Sequence, residues 1–302
     1  MQIGIDVGAT KIEYILLHDN GEESGRSRID CPKNYESVIK SISDIVKKIE
    51  KENKKELPIG VCHPGIHSIQ TGLIKNSPNC DWINNKPFQK DLRNAIGREV
   101  FCENDANCFT LSEAIDGSGK HYKIVFGIIL GSGVGGGLVI DKKIVTGPNG
   151  ITGEWGHNQL PRLNLSELKN KTKLRDGEIE SHLSGLSLSK IFKDQFKKNL
   201  TADKIFDLYR KHDIDAEKII DKYKENLAIS LSSIVNIIDP DAFIFGGGLS
   251  NEIDFFGEVQ NRIKKYVAGG EYEGVFLKPK FGDASGVRGA ARLGRAINYW
   301  YC

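Results

Sequence analysis

Apolar residues at the start of the chain alternate with smaller or polar ones, which is the two-residue period of a β-strand. Ile3, Ile5 and Val7 follow this period, and after a short glycine-containing turn a second apolar run covers residues 12–17. The apolar spacing then changes to that of an α-helix over about 35–51. The opening segment therefore predicts two strands joined by a turn and then a helix, with Asn34 as its N-cap.

The strand–glycine turn–strand pattern recurs later in the chain. An apolar strand is predicted over 123–130, a glycine-rich turn over 131–137 and a further strand over 138–140. A long helix over about 216–238 and a strand over 242–245 follow. Strands that alternate with helices, together with this weak repeat, predict an α/β fold built from a duplicated unit.

Composition narrows the class of protein. The 302 residues carry 42 Lys+Arg and 40 Asp+Glu, a formal charge of +2, which argues against nucleic acid or an anionic membrane as a partner. A content of 39% hydrophobic and 27% charged residues excludes a disordered chain and an integral membrane protein. The uncharged stretch 124–140 is too rich in glycine and too short for a bilayer span.

The cysteines and the N-terminus give an indication of the cellular compartment. None of the six cysteines forms a CxxC or CxC pair, so we expect reduced thiols in a cytoplasmic protein. The N-terminus opens directly on a strand without a basic region and does not read as a signal peptide.

Three glycine turns are candidates for binding phosphate or nucleotide. In the first turn, within residues 6–11, glycine lets an anion approach the backbone, Thr10 and Lys11 supply donors, and the Asp6 carboxylate can hold a hydrated Mg²⁺. The second turn, over 131–137, can form an anion nest of N–H groups. The third turn, over 246–248, follows a strand, which is where α/β folds place ligands. The alternative for each of them is an ordinary hairpin or strand-to-helix turn that binds no ligand. The candidate residues are Asp6, Gly8, Thr10, Lys11, Gly131, Ser132, Gly133, Gly135, Gly246, Gly247 and Gly248.

Two further motifs can carry chemistry. Asn104 and Asp105 lie between a predicted strand and a helix, so Asp105 is either an N-cap or a carboxylate that takes a proton from an attacking alcohol. Glu154 and His157 lie three residues apart and share a face if their segment is helical, where both could bind sugar hydroxyls. An ordinary surface pair is the alternative.

Taken together, these motifs resemble the ROK family of sugar kinases, which also includes sugar-responsive repressors. The resemblance rests on residues 6–11, 103–107, 153–157 and 239–248, in the family's order. Within the family the chain is most similar to bacterial fructokinase of the manno(fructo)kinase type, through NKPFQKDL, GEWGHNQLP and FGDASGVRGAA.

The resemblance implies an actin-like (RNase H-like) duplicated two-lobe fold with ATP and sugar in the interlobe cleft. Residues 1–117 would form the N-terminal lobe, completed by 287–302, and residues 118–286 the C-terminal lobe. A homodimer is also implied.

The implied reaction is the ATP-dependent phosphorylation of a hexose, D-fructose to fructose 6-phosphate in the fructokinase branch. Asp105 would be the catalytic base, Asp6 would hold Mg²⁺ through water, and the glycine turns would bind the nucleotide. The sugar contacts implied by the family motifs are Asn79, Asn104, Glu154, His157 and Glu180.

The chain departs from the family at its zinc site, where three cysteines normally bind zinc together with the histidine of the GH motif. Lys171, Lys173 and Glu178 occupy those positions. Without thiolates a tetrahedral zinc site is not expected, although a substitute site of His157, Glu178 and His182 is conceivable. Some other acceptor must then fix the His157 tautomer.

Other functions stay open at this stage. The sugar could be N-acetylglucosamine, mannose or glucose, because the sugar motif is shared across the family. The chain could also be a sugar-sensing regulator, or a binding module that has lost catalysis. The start of the chain at the phosphate-loop strand and its near-neutral charge argue against the regulator. The retained Asp105, Glu154, His157 and Glu180 argue against an inactive module.

Overall fold

The computed structural model describes residues 1–161 and 177–294. The strands are β1 (Gln2–Val7), β2 (Lys11–Leu17), β3 (Glu23–Asp30), β4 (Ile59–His63), β5 (Ile66–His67), β6 (Ile74–Lys75), β7 (Phe101–Asn104), β8 (Ile124–Leu130), β9 (Val134–Ile140), β10 (Lys143–Ile144), β11 (Ala242–Gly246) and β12 (Val275–Leu277). The helices are α1 (Tyr35–Asn53), α2 (Phe88–Ile96), α3 (Asp105–Ile115), α4 (Glu180–Leu183), α5 (Gly185–Phe196), α6 (Ala202–Arg210), α7 (Ile214–Ile238), α8 (Phe256–Ile263) and α9 (Ser285–Leu293).

The predicted hairpin and helix are confirmed, but the strand β3 lies between them and was not predicted. All of its residues are exposed, so it lacks the alternating apolar positions that indicate a strand. β1 and β2 form an antiparallel hairpin, and α1 begins where Asn34 accepts a hydrogen bond from the Ser37 N–H at 2.9 Å. The apolar positions that predicted α1, among them Val38 and Val46, are buried in the core. Local spacing and a capping side chain are sufficient to place this helix.

The chain divides into two compact units, of which unit 1 comprises residues 1–121, 137–152 and the described residues from 280 to 294. Its main sheet has the order β3-β2-β1-β4-β7, with β1, β4 and β7 parallel. Asp6 lies opposite Cys62, and His63 lies opposite Asn104. The carboxyl ends of β1, β4 and β7 therefore meet at one edge of the sheet.

Helix α9 packs against this sheet and α3 at distances that only glycine permits. A Cβ on Gly4 would lie 2.2 Å from the Val287 carbonyl oxygen, and one on Gly60 only 1.8 Å from the Ala290 carbonyl oxygen. A Cβ on Gly289 would lie 1.8 Å from the Cys108 carbonyl oxygen. These neighbours are backbone atoms, so relief would require α9 to move.

We expect Gly60→Ala to lower the free energy of unfolding by about 3 kcal/mol, because a methyl group has no room between β4 and α9. The measurement is urea denaturation. Gly25→Ala is the matched control, since a Cβ there meets no atom within 4 Å, and its effect should stay within about 0.5 kcal/mol. Equal stability of the two variants would show that α9 is not held this tightly.

Unit 2 comprises Tyr122–Gly136 and Gly153–Pro279. Its strands β8, β11 and β12 are parallel neighbours in that order. The long helix α7 begins at the N-cap Asp213 and ends at Asp239, whose φ of 49° is left-handed and lies directly before Pro240. The predicted helix and strand are therefore confirmed.

The division differs from the predicted one of 1–117 and 118–286. Residues 118–121, 137–152 and 280–286 belong to unit 1. Gly137 lies against α3, where an added Cβ would be 2.7 Å from the Thr110 hydroxyl oxygen. The buried Glu113 carboxylate accepts hydrogen bonds from the N–H groups of Lys280 and Phe281, which ties the C-terminal segment to α3. Such contacts between distant residues leave no periodic signal in the sequence.

Among the described residues, no helix has both the length and the apolar character needed to span a bilayer.

Candidate active site

The first glycine turn joins β1 to β2 at the carboxyl edge of the unit 1 sheet. The Gly8 N–H donates to the Lys11 carbonyl at 2.9 Å, and the Cys31 N–H donates to the Thr10 carbonyl at 2.9 Å. The side chains of Thr10 and Lys11 are exposed, whereas Asp6 is partly buried at the end of β1. The turn thus presents two polar side chains beside a carboxylate.

Asp105 is the first residue of α3 and does not cap it. The cap is Asn104, whose side-chain oxygen accepts the Asn107 N–H at 2.8 Å. Glu103, which is buried, accepts hydrogen bonds from the Asn104 N–H and the Asn107 side chain. The N-cap alternative for Asp105 is therefore wrong, and its carboxylate is exposed at the start of the helix.

The electrostatics of the edge link Asp6 and Asp105. Burial, followed by the charge of Asp105, raises the pKa of Asp6 to about 6. Solvent reaches the Asp105 side chain, yet the surrounding protein atoms remove part of its hydration and raise its pKa as well. Raised carboxylate pKa values at a strand edge are typical of sites that handle protons or metal ions.

Asn79 lies in an exposed turn of unit 1. Asn84 fixes this turn by accepting the Ser77 N–H at 3.0 Å and donating to the Ser77 carbonyl at 2.9 Å. The neighbouring Cys80 has a pKa of about 11, raised mainly by burial and in smaller part by the Asp105 charge. Asn79 therefore lies in unit 1, directly before a buried cysteine.

A cavity of about 830 Å³ opens beside β7 in unit 1. Its lining includes His67, Arg93, Glu103 and Thr146. The predicted sugar contacts are absent from the described lining, although Glu103 directly precedes Asn104. The cavity is large enough for a sugar, but Asp6 and Asp105 are not among its lining residues.

The second glycine turn is shorter than predicted. Only residues 131–133 turn, closed by a hydrogen bond from the Gly131 N–H to the Gly133 carbonyl at 3.0 Å, with Ser132 exposed. Gly135 already lies in β9, and its carbonyl accepts the Trp155 indole N–H at 2.8 Å. The last glycines of this run allow close packing and do not extend the turn.

The third glycine turn is adjacent to the second. β8 and β11 are parallel, with Gly246 opposite Ile129 at their carboxyl ends. Gly247 has a φ of 86°, and an added Cβ would lie 2.3 Å from the Leu130 carbonyl oxygen. Gly248 is exposed and begins a short 3-10 helix. Unit 2 therefore brings two of the predicted nucleotide-binding turns together.

Glu180 begins α4 in unit 2, next to the second turn. Its Oε2 atom accepts the Val134 N–H at 2.7 Å, and it would lie 2.7 Å from a Cβ on Gly133. The Gly185 N–H donates to the Gly131 carbonyl at 2.8 Å. Glu180 is thus held against the glycine turn.

Glu154, His157 and Glu178 form a cluster in unit 2. Residues Trp155–His157 form a 3-10 helix that Glu154 directly precedes. The His157 Nε2 atom lies 3.6 Å from Glu154 Oε2, and its Nδ1 atom lies 3.5 Å from Glu178 Oε2. The sequence had paired Glu178 with His157 only as a conceivable metal site, and it did not predict the direct contact between the two side chains.

Residues of the predicted zinc segment fall partly outside the described chain. Lys171 and Lys173 lie outside the described residues. His182 lines a cavity of about 60 Å³ with Leu188 and Tyr223. The described ranges hold no group of three His, Cys, Asp or Glu side chains arranged to bind a metal ion.

Comparison with known proteins settles the family, because the ROK family model matches residues 2–297. The chain belongs to the ROK family. The N-acetyl-D-glucosamine kinase of Histophilus somni is similar to this ROK protein, with 35% identity over 97% of the chain and 98% of that protein. The enzyme of the same name from Vibrio atlanticus is 37% identical over 97% of the chain and 99% of that protein.

Solved structures of the family share the fold. The ROK hexokinase from Thermus thermophilus has a TM-score of 0.86 and 25% identity, covering 97% of each chain. A ROK glucokinase from Streptomyces griseus, solved with glucose and AMPPNP, has a TM-score of 0.73 and 24% identity over 97% of this chain and 99% of that one. The predicted family and its actin-like α/β fold are confirmed.

Proposed function

We propose that this ROK protein transfers the γ-phosphoryl group of ATP to a hydroxyl of N-acetyl-D-glucosamine. The curated relatives that match nearly the whole chain at 35% and 37% identity carry this name. These relatives do not support D-fructose, which the sequence favoured. They support N-acetylglucosamine, which was one of the alternatives. The observation that supports a kinase function is the exposed Asp105 carboxylate. It does not cap α3, because Asn104 does so.

Asp105 is proposed as the catalytic base. Burial raises its pKa, which makes it a better proton acceptor than an ordinary aspartate. It would accept the proton of the attacking sugar hydroxyl as the bond to phosphorus forms. Because phosphoryl transfer depends mainly on alignment and charge, Asp105 also orients the hydroxyl.

Asp6 is proposed to hold Mg²⁺ through water, since a carboxylate that solvent can reach suits this oxygen-seeking ion. When bound, Mg²⁺ neutralises charge on the transferring phosphate. Thr10 and Lys11 beside Asp6 would bind phosphate oxygens. In unit 2, the paired turns at Gly131 and Gly247 would bind the rest of the nucleotide.

The sugar contacts are proposed to be the polar residues that the family motifs mark. Glu154, His157 and Glu180 present carboxylate and imidazole groups suited to hydroxyls. Asn104 already uses its side-chain oxygen to cap α3, which leaves the amide N–H groups as its donors to a sugar. Asn79 is exposed and fixed by its turn.

The test is a coupled ADP-release assay with ATP and Mg²⁺ over N-acetylglucosamine, fructose, mannose and glucose. We expect kcat/KM to be highest for N-acetylglucosamine, and the phosphorylated sugar to appear in equal amount to ADP. Hydrolysis of ATP without sugar is the control. A higher kcat/KM for fructose would overturn the choice of sugar, and sugar binding without ADP release would indicate a sensor instead of a kinase.

A further inference from the structure

The His157 ring lies between two carboxylates that differ sharply in exposure. The Glu178 side chain, 3.5 Å from Nδ1, is 3% exposed. The Glu154 side chain, 3.6 Å from Nε2, is 22% exposed, and the His157 side chain is 39% exposed. Glu178 is therefore the inner partner of the ring, and Glu154 is the partner on the solvent side.

The backbone holds Glu178 against His157. Gln159 and Glu178 form an antiparallel bridge. The Ile179 N–H donates to the Asn158 carbonyl at 2.8 Å, and the Leu160 N–H donates to the Gly177 carbonyl at 2.8 Å. The segment that follows His157 is thus clamped to the segment that carries Glu178, so the ring and the inner carboxylate stay opposed without any ligand.

A buried carboxylate requires donors, and Nδ1–H is one that His157 can supply. A neutral imidazole carries one proton, so a proton held on Nδ1 leaves a lone pair on Nε2. The separation of 3.5 Å is longer than an ordinary N–H···O bond of about 2.7–3.2 Å, and a small movement of the ring would close it.

We propose that Glu178 is a positioning residue: its carboxylate holds the proton of His157 on Nδ1, so that Nε2 accepts a hydrogen bond from a sugar hydroxyl. This inference rests on the proposed function, in which His157 contacts the sugar. Glu154 then accepts from a second hydroxyl. Glu178 itself touches no reacting atom.

The first test is independent of activity. Nitrogen-15 NMR of histidine-labelled protein at pH 8, with His157 assigned from the spectrum of His157→Asn, reports which ring nitrogen carries the proton. In the wild type we expect Nδ1 to be protonated. In Glu178→Gln we expect a mixture of tautomers, because the side-chain amide can also donate to Nδ1. An unchanged His157 signal in this variant would overturn the proposal.

The second test is kinetic. Glu178→Gln should raise the KM for N-acetylglucosamine about tenfold through loss of a charged hydrogen bond, with a smaller change in kcat and an unchanged KM for ATP. Glu178→Asp keeps the charge and should recover part of the loss. Equal effects on both KM values would point to a general structural role and would overturn the proposal.

Glu217→Gln is the matched control. Glu217 lies 2.9 Å from Nδ1 of His212 in an exposed Glu–His pair of the same unit, so its loss removes a similar contact outside the cluster. We expect its kinetics and the His157 signal to match the wild type. A wild type without sugar-dependent ADP release would defeat the proposed function, and the NMR comparison would still decide the role of Glu178.

Discussion

Asp105→Asn is expected to lower kcat by roughly a hundred- to ten-thousandfold, the range typical of removing a general base. The carboxamide keeps the shape of the carboxylate and can still accept the Ala106 N–H, which donates to Asp105 at 2.8 Å. Because Asn104 and not Asp105 caps α3, the helix should be unaffected. The measurement is the coupled ADP assay, with calorimetry to show that sugar still binds.

The control for this variant is Asp44→Asn, which removes an exposed carboxylate from α1 in the same unit. Its turnover and stability should equal those of the wild type. If Asp105→Asn turned over sugar at a rate near that of the wild type, Asp105 could not be the base. A variant that lost sugar binding as well would show that the carboxylate mainly positions the sugar.

Asp6→Asn is expected to change activity and stability in opposite directions. Loss of the carboxylate proposed to hold Mg²⁺ should lower turnover by roughly a hundredfold. The pKa of Asp6 is about 6 instead of 3.8, so its ionised form is held in an unfavourable setting. At about 1.4 kcal/mol for each pKa unit, and allowing for partial solvent access, the variant should gain about 1–2 kcal/mol of unfolding free energy at pH 8.

The sign of the pH dependence follows from this raised pKa. Above pH 6 the folded protein carries the costly charge, so the stability difference between Asp6→Asn and the wild type is complete. As the pH falls from about 6 to about 4, the folded wild type takes up a proton that the unfolded chain does not yet bind, and the difference closes. Urea unfolding without Mg²⁺ across this range is the measurement.

The catalytic activity of the wild type should also depend on the protonation of Asp6, and it should fall as the pH falls. Protonation of Asp6 competes with Mg²⁺, so turnover of the wild type at limiting Mg²⁺ should fall below about pH 6 and recover partly when Mg²⁺ is raised. Loss of stability in Asp6→Asn would contradict this account and would mean that the carboxylate stabilises the fold. Asp44→Asn again serves as the control.

Local features of the fold could be predicted from the sequence. Helix α1 could be predicted from the N-cap Asn34 and from the apolar spacing that follows it, because a cap and a periodic apolar face both depend on residues close together in the sequence. The family was predictable because its motifs occur in a fixed order, and the match over residues 2–297 confirmed it. The sugar substrate could not be predicted, because the same contact motif is shared by enzymes that act on several hexoses.

Features that depend on one residue or on distant contacts could not be predicted. The sequence left open whether Asp105 caps α3, and only the backbone shows that Asn104 does so. The last glycines before residue 138 suggested a longer turn, but Gly135 lies in a strand packed by Trp155. The contact between His157 and Glu178 joins residues far apart in sequence through a backbone bridge, which no spacing rule anticipates.

The close packing of α9 on Gly4 and Gly60 has a consequence for biosynthesis. The first strands leave the ribosome long before residues 285–293, which cover them, have been made. At about 5–20 residues per second, translation from residue 121 to residue 294 takes roughly 10–35 s. During that time Ile15 and Leu17 of β2, which form a buried cluster with Val287 and Ala291 of α9 in the complete fold, lack that cover. We therefore expect chaperones that shield emerging polypeptides to raise the yield of this protein.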